Sequence, residues 1–163
     1  MDEKILNYWF PNHEFNKFWF KVNKETDNYI YNNFYNYLIE LQNDNNITFT
    51  DHNNILAKII VLDQFSRNIY RDSKKAYQND TKAIKLAKEY FLNKYDKLHT
   101  LNKIIFALMP FRHSEIISDQ EFVIKKLESL NDKSILYNKF YKASINSYNT
   151  IKTIGKFPNR IIN

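Results

Sequence analysis

Gly155 is the only glycine in a chain of 163 residues, and three prolines, Pro11, Pro110 and Pro158, accompany it. Sandwiches and barrels need turn residues at regular intervals, so this scarcity argues against them. It also rules out phosphate loops of the GxGxxG or GxxxxGK[ST] kind, which spend several glycines each. Apolar residues recur instead at helical spacing, and no segment alternates convincingly as a strand. With 44% hydrophobic and 17% aromatic residues there is ample material for one core. The expectation is therefore a single all-α domain over residues 1–163, with about seven antiparallel helices joined by short loops.

The expected helices follow from apolar periodicity and end signals. Ile5, Leu6, Trp9 and Phe10 mark a first helix over 2–10, stopped at Pro11, and the Phe-Trp-Phe run at 18–20 is expected to pack on its Trp9 face. A helix over 24–42 carries Ile30, Phe34, Tyr37, Leu38 and Leu41, with Thr26 or Asp27 as its cap. An Asn/Asp-rich loop over 42–50 leads to a central helix capped by Thr50 or Asp51. A short turn over 72–78 follows, then a helix from Asp80, as N-cap, to about 94. The next spans about 97–109 with Leu98, Leu101, Ile105 and Leu108 inward, ended by Pro110. Ser118 and Glu121 have the spacing of a capping box for a helix over 119–130. The last helix runs from about 132 to 153 and is stopped by Gly155.

Composition narrows function mostly by exclusion. There is no cysteine, so disulfides, Cys-based zinc sites and a thiol nucleophile are out. The opening residues, MDEKILNYWF, do not read as a signal peptide, and no run approaches the ~20 apolar residues of a membrane span. A soluble cytoplasmic protein with no membrane contact is expected. Net charge is +6, but the lysines are dispersed and Asn, Ile, Lys and Tyr are abundant together, as an AT-rich coding composition would produce. Nucleic acid is not an expected partner, and no cofactor is implied.

Three segments break the rule of apolar inside and polar outside. The central helix, after Ile55, Leu56, Ile59, Ile60 and Leu62, turns polar at Asp63, Gln64, Arg67, Asn68 and Arg71. Helical spacing puts 63 one turn from 67, 64 from 68 and 67 from 71. Two guanidiniums on one edge could bind a phosphate or carboxylate, with Asp63 orienting one of them. An ion-pair and amide network that fixes helix packing reads the same residues equally well. The second segment is MPFRHSE over 109–115, followed by Asp119 and Gln120. His113 is its candidate acid/base, with Glu115 placed to hold a tautomer. His113, Glu115 and Asp119 match no helical metal motif, and no metal is expected. Ser114 beside His113 does not make a nucleophile pair. The third segment is IGKFPNR over 154–160, which contributes Arg160. His13, His52 and His99 lack supporting neighbours and read as surface or loop residues.

The strings LDQFSRNIYR, MPFRHSE with DQ at 119–120, and IGKFPNR, together with ILNYWF and FWF near the start, resemble an uncharacterised family known as domain of unknown function 924. The resemblance covers nearly the whole chain in order and spacing. It implies an all-α fold, a tetratricopeptide-like right-handed helical array, and brings no agreed activity. Where family members usually read DQFPRN, this chain has Ser66. Ser147 stands at a usual His, and Asn159 and Ile161 replace His and Asn of the last motif.

Two functional readings follow. In the first, the segments converge on one concave site: Arg67, Arg71, His113, Glu115 and Arg160 line it, Asp63 and Asp119 support them, and an anionic small molecule is the ligand. In the second, the chain is a non-enzymatic helical adaptor for a protein partner, and the polar segments only lock its helices.

Overall fold

The computed structural model describes residues 1–11 and 16–160; His13 and Ile161 lie outside them. The described residues form seven helices and no strand, counting one continuous rod as a single helix. These are α1 (Asp2–Trp9), α2 (Lys24–Asn43), α3 (His52–Ile60), a π-helical turn (Val61–Phe65) running straight into α4 (Ser66–Ile69), α5 (Asp80–Leu92), α6 (Leu101–Arg112), α7 (Ile117–Ser129) and α8 (Ile135–Ile154). Short 3-10 turns lie at Lys17–Trp19, Lys74–Tyr77 and Tyr95–Leu98. The α3–α4 rod is central: α1, α2, α5 and α6 all pack on it, and α5, α6, α7 and α8 each pack on the next. No helix among the described residues is long and apolar enough to cross a membrane.

The rod is central because its sequence is apolar on every side. Ile55, Leu56, Ala57, Ile59, Ile60, Val61, Leu62 and Phe65 are all fully buried, and a helix buried all round sits inside the domain. Phe65 anchors the π turn. It stacks on Phe34 of α2 at 4.9 Å between centroids and meets Trp9 of α1 edge-on at 5.6 Å. Trp9 also meets Phe106 of α6 edge-on at 5.4 Å, and the Trp19 indole N–H donates to the Trp9 carbonyl at 2.8 Å. Each such aromatic pair adds about 0.5–1.5 kcal/mol beyond the area it buries. Both tryptophans are thus core residues.

Several helix ends differ from their expected form. Asn23, not Thr26 or Asp27, caps α2, accepting from Glu25 N at 2.8 Å and Thr26 N at 3.3 Å. Asp51 does cap α3, through Asn54 N at 2.8 Å. Asp80 is the first residue of α5 rather than its cap, and its carboxylate is taken by Arg67. Helix α6 passes through Pro110 to Arg112. A proline one turn from a helix end removes one ladder bond, and the burial of Met109, Pro110 and Phe111 offsets it. The segment before α6 is a separate 3-10 turn, and Leu98 is 63% exposed rather than inward. The Ser118–Glu121 capping box does not form: α7 starts at Ile117, and the turn before it is held by Ser114. Gly155 ends α8 at φ +84°, its N–H reaching Ile151 O at 2.9 Å. That left-handed conformation is cheap only without a Cβ.

Candidate functional site

Asp63 sits in the π turn with no exposed surface. A π turn adds a residue to the helix and is often found at functional sites. Here it carries a carboxylate within a segment that is otherwise almost wholly buried. His113 Nδ1 lies 2.8 Å from Asp63 Oδ1, Gln64 Nε2 donates to Oδ2 at 2.7 Å, and an Arg67 nitrogen stands 3.5 Å away. Burial alone would raise the Asp63 pKa, but the His113 and Arg67 charges and the two hydrogen bonds outweigh it, so the net shift is down. Burial, helped by the Arg67 charge, lowers His113 below its ordinary 6.5 despite the Asp63 carboxylate. The pair is therefore a carboxylate beside a neutral imidazole near pH 7. An ionised carboxylate can only accept, so Nδ1 carries the hydrogen and Nε2 keeps its lone pair. Nε2 has no partner among the described residues, and the His113 side chain is 21% exposed.

The C-terminus of α6 is pinned so that Arg112 and His113 project together. Gln120 of α7 donates its amide to Arg112 O and Ser114 O, both at 2.7 Å. These carbonyls lie past the last helical hydrogen bonds, where partners must come from elsewhere. Ser114 Oγ donates to Asp119 at 2.6 Å and accepts from Ile116 N at 3.1 Å, which sets the corner into α7. The segment after Gly155 then folds back. Arg160 donates to His113 O at 2.5 Å, and Phe157 N donates to Glu115 at 2.6 Å. Asp80 joins the rod to that segment, taking a two-pronged grip from Arg67 at 2.8 and 3.1 Å and lying 3.7 Å from Arg160. The Tyr77 ring lies against both guanidiniums, at 5.5 Å from Arg67 and 4.9 Å from Arg160. So the three polar segments, distant in sequence, meet at one place.

Not every candidate is there. Arg71 and Asn68 turn away: Arg71 grips Asp27 of α2 at 2.6 and 2.8 Å, and Asn68 donates to the same carboxylate at 2.9 Å. Their expected position assumed a helix through residue 71. The π turn breaks the four-residue register between Gln64 and Asn68, and the helix ends at Ile69, before Arg71, with Asp72 at φ +62°. Glu115 does not orient His113. Asp63 does, and Glu115 serves the backbone of Phe157 and stands 3.9 Å from Arg160. Asp119 supports the turn through Ser114 and has Lys88 at 3.5 Å. Among the described residues no group of three His, Asp or Glu side chains could hold a metal. Ser66 is buried and takes a hydrogen bond from Asn79 at 3.0 Å.

A cleft of about 530 Å³ opens at this junction, with Arg67, Arg112, His113, Ser147, Phe157 and Arg160 in its walls. Its volume is that of a small-molecule site. Asn159, at one departure from the family pattern, also lines it. Arg112 was not a candidate in the sequence, and it is the most unusual group here. Among the described residues no carboxylate lies within 4 Å of its guanidinium. Its neighbours are Ser147 Oγ at 3.4 Å from Nε, the Met109 sulfur at 3.8 Å and the face of Phe140 at 5.6 Å. Burial pushes its pKa down and Arg67 adds to that, with Asp63 only partly opposing. The other three arginines of the chain are each paired with a carboxylate. Asp80, Tyr77 and Asp27 were also missed. For the two acids the sequence signal was the arithmetic of charge, two arginines against one acid, Asp63, over 62–71; Tyr77 had no such signal.

No curated protein matches the chain. A solved structure, that of the protein of unknown function ATU0120 from Agrobacterium tumefaciens, is similar to it at a TM-score of 0.79 and 22% identity, covering 98% of this chain and 86% of that one. At that identity the likeness concerns the fold alone. The family model described as "Bacterial protein of unknown function (DUF924)" matches residues 5–162, and with the fold and the converging segments in place, the chain belongs to that family.

Proposed function

We propose that this protein binds an anionic small molecule in the cleft between the α4–α5 junction, the end of α6 and the segment after α8, within a tetratricopeptide-like cytoplasmic domain. One observation carries the reading: Arg112 brings a positive charge into the cleft wall with no carboxylate within 4 Å among the described residues, and the more distant Asp63 offsets its burial only in part. Partly burying a guanidinium without an adjacent acid costs desolvation energy that Ser147, the Phe140 face and Asp63 return only in part. A bound carboxylate or phosphate would return it through charge-assisted hydrogen bonds. Ser147 and Asn146 offer further polar contacts in the same wall. The helical-adaptor reading accounts for the Arg71–Asp27 lock but gives Arg112 no role.

Thermal unfolding in the presence of inorganic phosphate, sulfate, citrate and benzoate tests this. A ligand at 100 times its Kd stabilises by about 2.7 kcal/mol, or roughly 5–10 °C in a domain of this size. At least one of these anions should raise Tm by that order in the wild type and in Arg71→Ala, and by nothing in Arg112→Met. A wild type indifferent to all four, or an Arg112→Met that keeps the shift, overturns the reading.

A further inference from the structure

The cleft also contains a group poised to move a proton, which goes beyond binding. We infer that His113, positioned by Asp63, is a general base that activates water against a carboxylic ester or lactone whose anionic group is held by Arg112. The inference rests on the anion-binding reading. Three features support it. His113 Nδ1 is committed to a fully buried carboxylate at 2.8 Å, which fixes both the ring and its tautomer. A histidine used only as a structural bridge would engage both nitrogens, as His99 does with Tyr90 at 2.7 Å and Asn53 at 3.0 Å. In His113 the second nitrogen has no partner among the described residues, and the residue lines two clefts, one of about 530 Å³ and one of about 460 Å³. Arg112, the residue just before it in the chain, lines the first of these. Base and cation are thus held as one unit by the Gln120 clamp on the end of α6.

The chemistry balances without a further reactant. Nε2 takes a proton from water as its oxygen forms a bond to the ester carbonyl carbon, and the carbonyl oxygen takes the negative charge. Collapse of that adduct breaks the bond to the leaving oxygen, which receives the proton back from the imidazolium. The products are an acid and an alcohol. One base suits this addition, since one proton is removed and then returned, while Arg112 holds the substrate's own anionic group beside it. Asp63 is a positioning residue. It touches no substrate, but it keeps the lone pair on Nε2 and stabilises the imidazolium as it forms.

The test uses mono(4-nitrophenyl) succinate, a half-ester with a free carboxylate, with 4-nitrophenyl acetate as the uncharged control. The wild type should hydrolyse the half-ester well above the buffer rate and prefer it to the acetate. His113→Asn preserves a donor for Asp63 but has no base, and should lose about 100-fold or more while keeping the anion-induced thermal shift. Added imidazole should restore part of the rate. Asp63→Asn should lower kcat and move the pH profile with KM little changed. Wild-type kinetics check the same claim without any variant: kcat should be level at neutral pH and above and fall on the acid side with a midpoint below the ordinary 6.5. A wild type that binds anions but does not exceed the buffer rate overturns the inference and leaves the binding reading standing. So does a folded His113→Asn at full rate, or a wild-type rate that rises with hydroxide throughout. Loss of the thermal shift in the wild type would instead sink the binding reading.

Discussion

Arg71 and Arg112 each lie at the end of a buried helix, and each is partly covered by its neighbours, yet the fold treats them oppositely. Arg71 closes on Asp27 with two hydrogen bonds, and Asn68 donates to the same acid. The result is a latch between α2 and the end of the central rod. Its balance shows in both partners: the hydrogen bond that Arg71 donates to Asp27 raises the Arg71 pKa, while Arg71 and Asn68 hold Asp27 low against its burial. Arg112 has a hydroxyl, a thioether and an aromatic face for company, and its pKa goes down. An arginine with its acid in place has done its work once the chain has folded. One without an acid is a charge in search of a counterion. On the proposed reading, that difference separates what holds this molecule together from what it presents to a ligand.

The largest expected effect comes from the residue that belongs to both sides of this division. Asp63 supports the cleft but is wholly buried, and Asp63→Ala leaves the Arg67 charge partly uncompensated and the His113 N–H without its acceptor. Breaking a buried pair from one side costs about 3–5 kcal/mol. Urea unfolding should show a loss of that size at pH 7. A loss under 1 kcal/mol would mean that the carboxylate contributes position only. Next comes the latch. Arg71→Ala should cost about 2 kcal/mol, the value of hydrogen bonds to a charged group, and Asp27→Ala a similar amount. Because the two act as a unit, the double variant should cost less than the sum. Strict additivity would break the claim that the latch is one device.

Acid provides a third way to compare the regions, since the latch has no histidine and the cleft does. His113 is lowered by burial and by Arg67. Away from both regions, His99 is lowered to about 4 by burial, then by Lys103 and His52. A histidine with a depressed folded pKa binds its proton more readily when unfolded. Its contribution to stability is therefore complete above pH 6.5 and drains away as pH falls toward the folded value. Stability should drop between pH 6.5 and 4, and His99→Gln should remove part of that slope. Between pH 6.5 and about 5, above the range in which Asp27 and Asp63 take up protons, the part that remains in His99→Gln should shrink with a second change at His113 and be untouched by Arg71→Ala. A flat profile across this range would contradict both assignments.

Much of the fold was legible because it is written in periodicity. Ile55, Leu56, Ile59, Ile60 and Leu62 marked an amphipathic helix, which the structure buries on all sides, and Gly155 marked the end of the last one. The helix ends were less legible wherever a side chain had a better offer from afar. Asp80 is an adequate cap by type, but a two-pronged Arg67 is worth more to a carboxylate than a backbone amide, so it left the cap unmade. Ser118 and Glu121 had the right spacing and lost to Ser114, which reaches Asp119 and the Ile116 amide at once. The site was half legible. Asp63, Arg67, His113 and Arg160 stood out as polar residues in apolar company, and they do meet. Arg71 was misplaced because helical spacing was carried past Ile69. Arg112 was overlooked because nothing in a sequence states that an arginine lacks an acid. That is a property of three-dimensional neighbours.

The smallest expected change in stability is also the sharpest test of the division. If Arg112 is placed for a ligand and not for the fold, then removing it without ligand present should cost almost nothing. Met is the suitable replacement. It keeps an unbranched apolar stem beside Met109 and over Phe140 while discarding the charge. Replacing an uncompensated, partly buried charge by an apolar side chain of similar length is commonly neutral or stabilising, and stabilising changes of this kind tend to reduce function. Urea unfolding of Arg112→Met, in a buffer free of phosphate, sulfate and carboxylates, should lie within about 0.5 kcal/mol of wild type or above it. Repeated with phosphate, the order should reverse, because only the wild type gains from the anion. The matching experiment on Arg71 should show a loss of about 2 kcal/mol that anions do not alter. If Arg112→Met instead loses as much as Arg71→Ala in the anion-free buffer, the Ser147, Met109 and Phe140 contacts are holding the fold, and the contrast between the two arginines disappears.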